Sequence, residues 1–158
     1  QYTRGTWTAP ETRSVVPGEG SAPYCTPAQL VVALMTKWML VFEDPQAETL
    51  WLGKALPRRW LADGEKIAVS GAPTRWGRVG IRIESRIARG EISARVELPQ
   101  RFPASAKLRL RAPEGAVMKS VSVNGKAWSE FDGKNETISL PQGGGSVLII
   151  ARYEVRGR

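Results

Sequence analysis

From Leu30 to Phe42 apolar residues fall at Leu30, Val31, Leu34, Trp38, Val41 and Phe42, the i, i+3/i+4 spacing of a helix face. Val32, Ala33, Met35, Met39 and Leu40 fill the opposite side. The pattern predicts a helix that is apolar almost all round and must be covered on most sides. Its start is marked by Thr26, a capping residue, followed by Pro27 at the first helical position, where the missing N–H costs nothing. Glu43-Asp44-Pro45 predicts its end, because the residue before a proline is pushed out of the α region. The expected helix runs from Thr26 to Asp44.

Beyond Pro45 the period changes to two. Short alternating runs, separated by turn residues about every ten positions, predict about eight strands of an antiparallel sandwich. These are Thr49 to Leu52, Lys66 to Val69, Arg78 to Ser85, Glu91 to Leu98, Lys107 to Arg111, Val117 to Val123, Glu136 to Leu140 and Ser146 to Val155. Val79, Ile81 and Ile83 should face inward against Arg78, Arg82 and Glu84, as should Leu108 and Leu110 against Lys107, Arg109 and Arg111. Val147 to Ala151 is almost continuously apolar, which predicts a central strand covered on both faces or packed on the helix. Asn124-Gly125 predicts a tight hairpin turn, since both positions of a type I′ turn need positive φ, with Lys126 to Trp128 returning antiparallel.

Residues 1–25 carry Trp7, Pro10, Pro17 and Pro23 with no sustained period, and read as a long ordered loop. The fold class is therefore mainly β: a loop and one buried helix (residues 1–45), then a sandwich (residues 46–158). The 158 residues, 42% apolar and 24% charged, have the composition of a globular chain. The chain opens at Gln1 with no leader pattern, which predicts a fragment or processed product. Lys37 interrupts the longest apolar stretch, so no membrane span is expected where about 20 apolar residues are needed.

The net charge of +8 is unevenly placed, with three basic and four acidic side chains in residues 1–45 and 20 and 11 in residues 46–158, and the positive excess of the second part favours anionic partners in general. Cys25 is the only cysteine and histidine is absent, which removes Ser-His-Asp and Cys-His catalysis, thiolate zinc sites and disulfides. No metal or cofactor is expected. Gly143-Gly144-Gly145 lies between two strands and reads as a hairpin loop before a phosphate cradle. Paired carboxylates are the remaining acid/base option. Glu43 and Asp44 are adjacent and point apart, so helix termination or a bond to the following loop is their expected role. Six tryptophans are many for this length, and aromatic faces stack on sugars or bases. Trp38 is expected in the core, while Trp7, Trp60, Trp76 and Trp128 flank turns or loops and read first as plugs at the sandwich edge.

Several strings carry a family likeness: Arg4-Gly5-Thr6-Trp7-Thr8, Pro23-Tyr24-Cys25-Thr26-Pro27, Met39 to Pro45, Thr49-Leu50-Trp51-Leu52, Pro57-Arg58-Arg59-Trp60-Leu61 and Ala72-Pro73-Thr74-Arg75-Trp76-Gly77. Together they resemble the C-terminal end of bacterial six-hairpin glycosidases, the α-L-rhamnosidase-like enzymes among them. The resemblance implies a barrel of α-helices carrying the catalytic carboxylates on a larger N-terminal polypeptide, whose last helix leads into a terminal sandwich. It implies that Arg4, Trp7 and Glu11 border the sugar pocket and bind substrate. It places no catalytic residue on this chain, and an oligo- or polysaccharide is the implied substrate. Two other readings stand beside it. One is a stand-alone module that binds an acidic polysaccharide, and the other a basic nucleic-acid binder, disfavoured because the basic strands carry no interleaved exposed aromatics.

Overall fold

A computed structural model of the protein describes residues 26–155, and packing divides the chain between Trp38 and Met39. Helix α1 spans Thr26–Leu40. It is four residues shorter than expected, and Val41–Asp44 is instead strand β1, paired antiparallel with β2 (Thr49–Leu52). Val41 and Phe42 fit a helical period, yet β-branched and aromatic residues suit a strand equally. The outcome is set by the chain that follows, since the N–H groups of Gly53 and Ala55 donate to the carbonyls of Leu40 and Met39, 2.8 and 3.3 Å away, and satisfy the helix end. The Asp44 carboxylate then caps the hairpin loop by accepting from the N–H groups of Ala47 and Gln46, the role expected of it.

The remaining strands are β3 (Lys66–Thr74), β4 (Gly77–Arg86), β5 (Glu91–Leu98), β6 (Ser105–Arg109), β7 (Ala116–Val123), β8 (Lys126–Trp128), β9 (Phe131–Asp132), β10 (Thr137–Ser139) and β11 (Gly145–Val155). They form two sheets, of order β1-β2-β6-β10-β9 and β3-β4-β5-β11-β7-β8. All pairs are antiparallel but one: β2 and β6 run parallel, with Trp51 opposite Lys107. A parallel pair needs a long crossover, and here β3, β4 and β5 of the other sheet supply it. The expected Asn124-Gly125 turn joins β7 to β8, with φ of 49° and 79°.

The two inner faces make one core. Leu50, Leu52, Leu108, Leu110 and Ile138 of the first layer and Val79, Ile81, Ile83, Ile92, Val96 and Ile149 of the second are all buried. Each such side chain contributes about 1.5–3 kcal/mol relative to exposure. Tyr153 crosses between the layers and donates its hydroxyl to the Leu110 carbonyl at 3.1 Å. Burial raises the pKa of that phenol far above its ordinary range, with the nearby Glu136 charge adding to the effect. Strand β11 is central as expected but covered on one face only: Val147, Ile149 and Ala151 are buried, while Leu148 is exposed. Its apolar run therefore mixes core with surface.

The helix is not buried among the described residues, and the larger polypeptide expected to cover it is not part of this chain. None of its residues is buried, and Leu30, Val31, Val32, Leu34, Met35 and Trp38 are between 41% and 65% exposed. Trp38 is thus a surface residue and not part of the core. No helix among the described residues is long and apolar enough to cross a membrane.

Candidate functional site

The outer face of the first sheet follows from period-two alternation. With Leu50, Leu52, Leu108 and Ile138 turned inward, Trp51, Lys107, Arg109, Thr137 and Ser139 turn outward. Register places Phe42, Trp51, Lys107 and Ser139 in one row across four neighbouring strands, about 14 Å at the usual strand spacing. Arg109, Thr137 and Asp132 form the next row. Over these rows from Trp51 to Ser139 lies an open groove of about 500 Å³, walled on one side by Ser129, Glu130 and Phe131.

Two ammonium groups attend the aromatic floor. Lys107 Nζ and Lys54 Nζ each lie 5.2 Å from the Trp51 ring centroid, and Lys54 Nζ also sits 4.0 Å from that of Phe42. Such contacts are favourable by about 0.5–1 kcal/mol at exposed sites. Among the described residues neither lysine forms an ion pair with a carboxylate. Arg109 is committed to the scaffold, donating to the carbonyls of Asn135 and Lys54. Asp132 is committed as well, since Oδ1 accepts from the N–H groups of Asn135 and Lys134 and Oδ2 from the Asn135 amide at 2.6 Å. Glu130 is the groove's less engaged carboxylate, with one long contact of 3.4 Å from the Ser129 hydroxyl.

The Asn135 backbone N–H, followed by its side-chain amide, holds the Asp132 carboxyl below the usual carboxylate range. A folded-state pKa below the unfolded one contributes stability that is complete above the unfolded value, about 3.9, and is lost as pH falls through the folded value. Carboxyl-detected NMR should therefore show Asp132 titrating at lower pH than a free aspartate. In Asp132→Asn the 132–135 turn should no longer respond to acid.

A second polar cluster lies at one end of the sandwich. Arg58 Nη1 and Nη2 donate to Glu136 Oε1 and Oε2 at 2.7 and 2.8 Å, and Nη1 also reaches the Ala112 carbonyl. The Glu136 carboxylate raises the Arg58 guanidinium pKa. Glu136 itself is held at a φ of 55°, and its carbonyl accepts from the Leu110 N–H. A bidentate pair so satisfied is an anchor for the fold.

Arg4, Trp7 and Glu11, the expected sugar-binding residues, lie outside the described residues. Glu43 bonds to the backbone N–H of Arg75 at 2.7 Å and not to the loop directly after it. Trp60, Trp76 and Trp128 pack against the core as edge plugs. The guanidinium of Arg75 lies 4.2 Å from the Trp76 ring centroid, and the Trp128 indole N–H donates to the Ser139 carbonyl. Trp51 alone of the described strand tryptophans stands on a grooved outer face. Gly143 to Gly145 is not a hairpin, because β10 and β11 belong to different sheets. Among the described residues no group of three His, Cys, Asp or Glu side chains is placed to hold a metal ion.

No family model matches the chain, and no curated protein matches it. Among solved structures it is similar to a GH127 β-L-arabinofuranosidase from Geobacillus stearothermophilus T6, with 15% identity and a TM-score of 0.44 over 81% of this chain and 18% of that one. It is also similar to a protein described as a glycoside hydrolase, with 15% identity and a TM-score of 0.40 over 90% of this chain and 23% of that one. The chain spans about a fifth of the length of each. Likeness at that level fixes neither activity nor substrate.

Proposed function

We propose that the chain is the C-terminal accessory segment of a carbohydrate-active enzyme of the glycoside hydrolase type, and that its helix completes a barrel formed by a larger catalytic polypeptide. The observation that carries this reading is the helix, whose apolar residues point in every direction, with Leu30, Val31, Val32, Leu34, Met35 and Trp38 each more than 40% exposed. The sandwich has a closed core of its own. Covering the six large exposed side chains on the helix would contribute on the order of 5 kcal/mol, and leaving them in water produces a patch prone to association. The carbohydrate class rests on the resemblance of the quoted strings to six-hairpin glycosidases, in which Arg4, Trp7 and Glu11 would line the edge of the sugar pocket. The Trp51 groove favours the second reading, a sugar-binding module, and the two are compatible.

The test is light scattering coupled to size exclusion, on the chain alone and as recovered from its source. The proposal expects co-elution with a larger polypeptide from the source, and self-association of the isolated 17.3 kDa chain that Leu30→Glu with Leu34→Glu relieves. A stable monomer of the parent chain, with no larger partner in the source material, would overturn the docking role.

A further inference from the structure

We infer that the groove on the outer face of the first sheet binds an acidic oligosaccharide, with Trp51 as the stacking platform and Lys54 and Lys107 as the carboxylate contacts. This rests on the carbohydrate reading for the class of polymer only, because every residue of the groove lies within 39–155 and none on the helix. An indole on a sheet face, flanked by hydroxyls and a carboxylate with one long contact, has the parts a sugar ring requires: an apolar face for its C–H groups and acceptors for its hydroxyls. The row from Phe42 to Ser139 runs about 14 Å in a straight line across the strands, the shape of a short linear oligomer rather than of a compact metabolite.

The two lysines select the acidic class. Each ammonium lies against an aromatic ring and forms no ion pair with a carboxylate among the described residues, Lys54 acting on Asp44 only through its longer-range charge. Arg109 and Asp132 are spent on the groove's own framework, which leaves Lys107 as the available cation of its lining, Lys54 beside it at the Trp51 ring, and Glu130 as its less engaged acceptor. A uronic acid unit presents the matching pair, a C–H face and a carboxylate at its edge. The same site offers a neutral sugar the platform without the charge match.

Affinity electrophoresis and titration calorimetry with polygalacturonate, arabinan and dextran sulfate, on the full chain at physiological salt, decide the matter. The expected result is saturable binding of polygalacturonate, weakened at least tenfold by Trp51→Ala and about threefold by Lys107→Ala, with little binding of arabinan. Circular dichroism confirms that each variant is folded, and Trp51→Phe should restore part of the affinity. Absence of polygalacturonate binding overturns the inference. So does binding that Trp51→Ala leaves unchanged and dextran sulfate matches, since net charge alone would then explain it, and so does equal binding of arabinan. A failed helix-docking test leaves each of these outcomes readable.

Discussion

Gly144→Ala should lower the melting temperature of the sandwich by roughly 10 °C, a loss of about 3 kcal/mol. A Cβ at position 144 would lie 1.7 Å from the Pro99 carbonyl oxygen and 2.7 Å from the carbonyl carbons of Pro99 and Gln100. All three are backbone atoms, so no rotamer change relieves the overlap. The segment that carries the chain from β10 in one sheet to β11 in the other would have to part from the end of β5. Overpacking of this kind costs about 1–3 kcal/mol, and more where backbone must move. Gly125→Ala provides the contrast. It meets no atom within 4 Å but occupies a φ of 79°, so only conformational strain opposes the methyl group, worth about 1 kcal/mol. Thermal denaturation of the two variants should rank them in that order; a Gly125 penalty equal to that of Gly144 would mean that close approach is not what the glycine tract provides.

The same tract shows where sequence reasoning met its limit. Three glycines between two strands suggest a hairpin, and nothing local distinguishes a hairpin from a crossing between layers. A strand whose alternation is clean, such as β5, is legible to the residue, because one face meets a core and the other meets solvent or a polar surround. Val41 and Phe42 are ambiguous in principle. Their spacing continues the helical stripe, and their side chains equally suit a strand, so hydrogen bonds from Gly53 and Ala55 decide between the two. The continuous run in β11 misleads for the opposite reason: an apolar side chain such as Leu148 can stand on a wet face at little cost.

The site was less legible than the fold. The tryptophan count pointed to an aromatic platform, but which ring is left open depends on tertiary packing that covers Trp60, Trp76 and Trp128. Trp51 meets Lys107 only because β2 and β6 pair in parallel, and no signal local to either strand implies that register. Asp132-Gly133-Lys134-Asn135 is a recognisable turn string that would have placed one wall of the groove. Composition favours anionic partners in general, the class of ligand proposed for the groove beside Trp51 and Lys107.

Arg58 and Glu136 are separated by 78 positions in sequence and joined by two charge-assisted hydrogen bonds, so their removal should be felt across the sandwich. The two halves of the pair are not equivalent. The Glu136 side chain is 7% exposed, whereas that of Arg58 is 37% exposed. Arg58→Ala strands a carboxylate that cannot reach water and leaves the Ala112 carbonyl without its donor, at a cost of about 3–5 kcal/mol. Glu136→Gln keeps the shape and one acceptor, and the guanidinium can turn toward solvent, so about 1–2 kcal/mol should be lost. Because Glu136 also occupies a left-handed backbone conformation, Glu136→Gly separates strain from charge, with relief of the first partly offsetting loss of the second. Urea denaturation of the three full-length variants reads the differences directly. If Arg58→Ala and Glu136→Gln prove equally destabilising, burial of the carboxylate is not the origin of the penalty; if both losses are below about 1 kcal/mol, the pair acts as an exposed surface bridge.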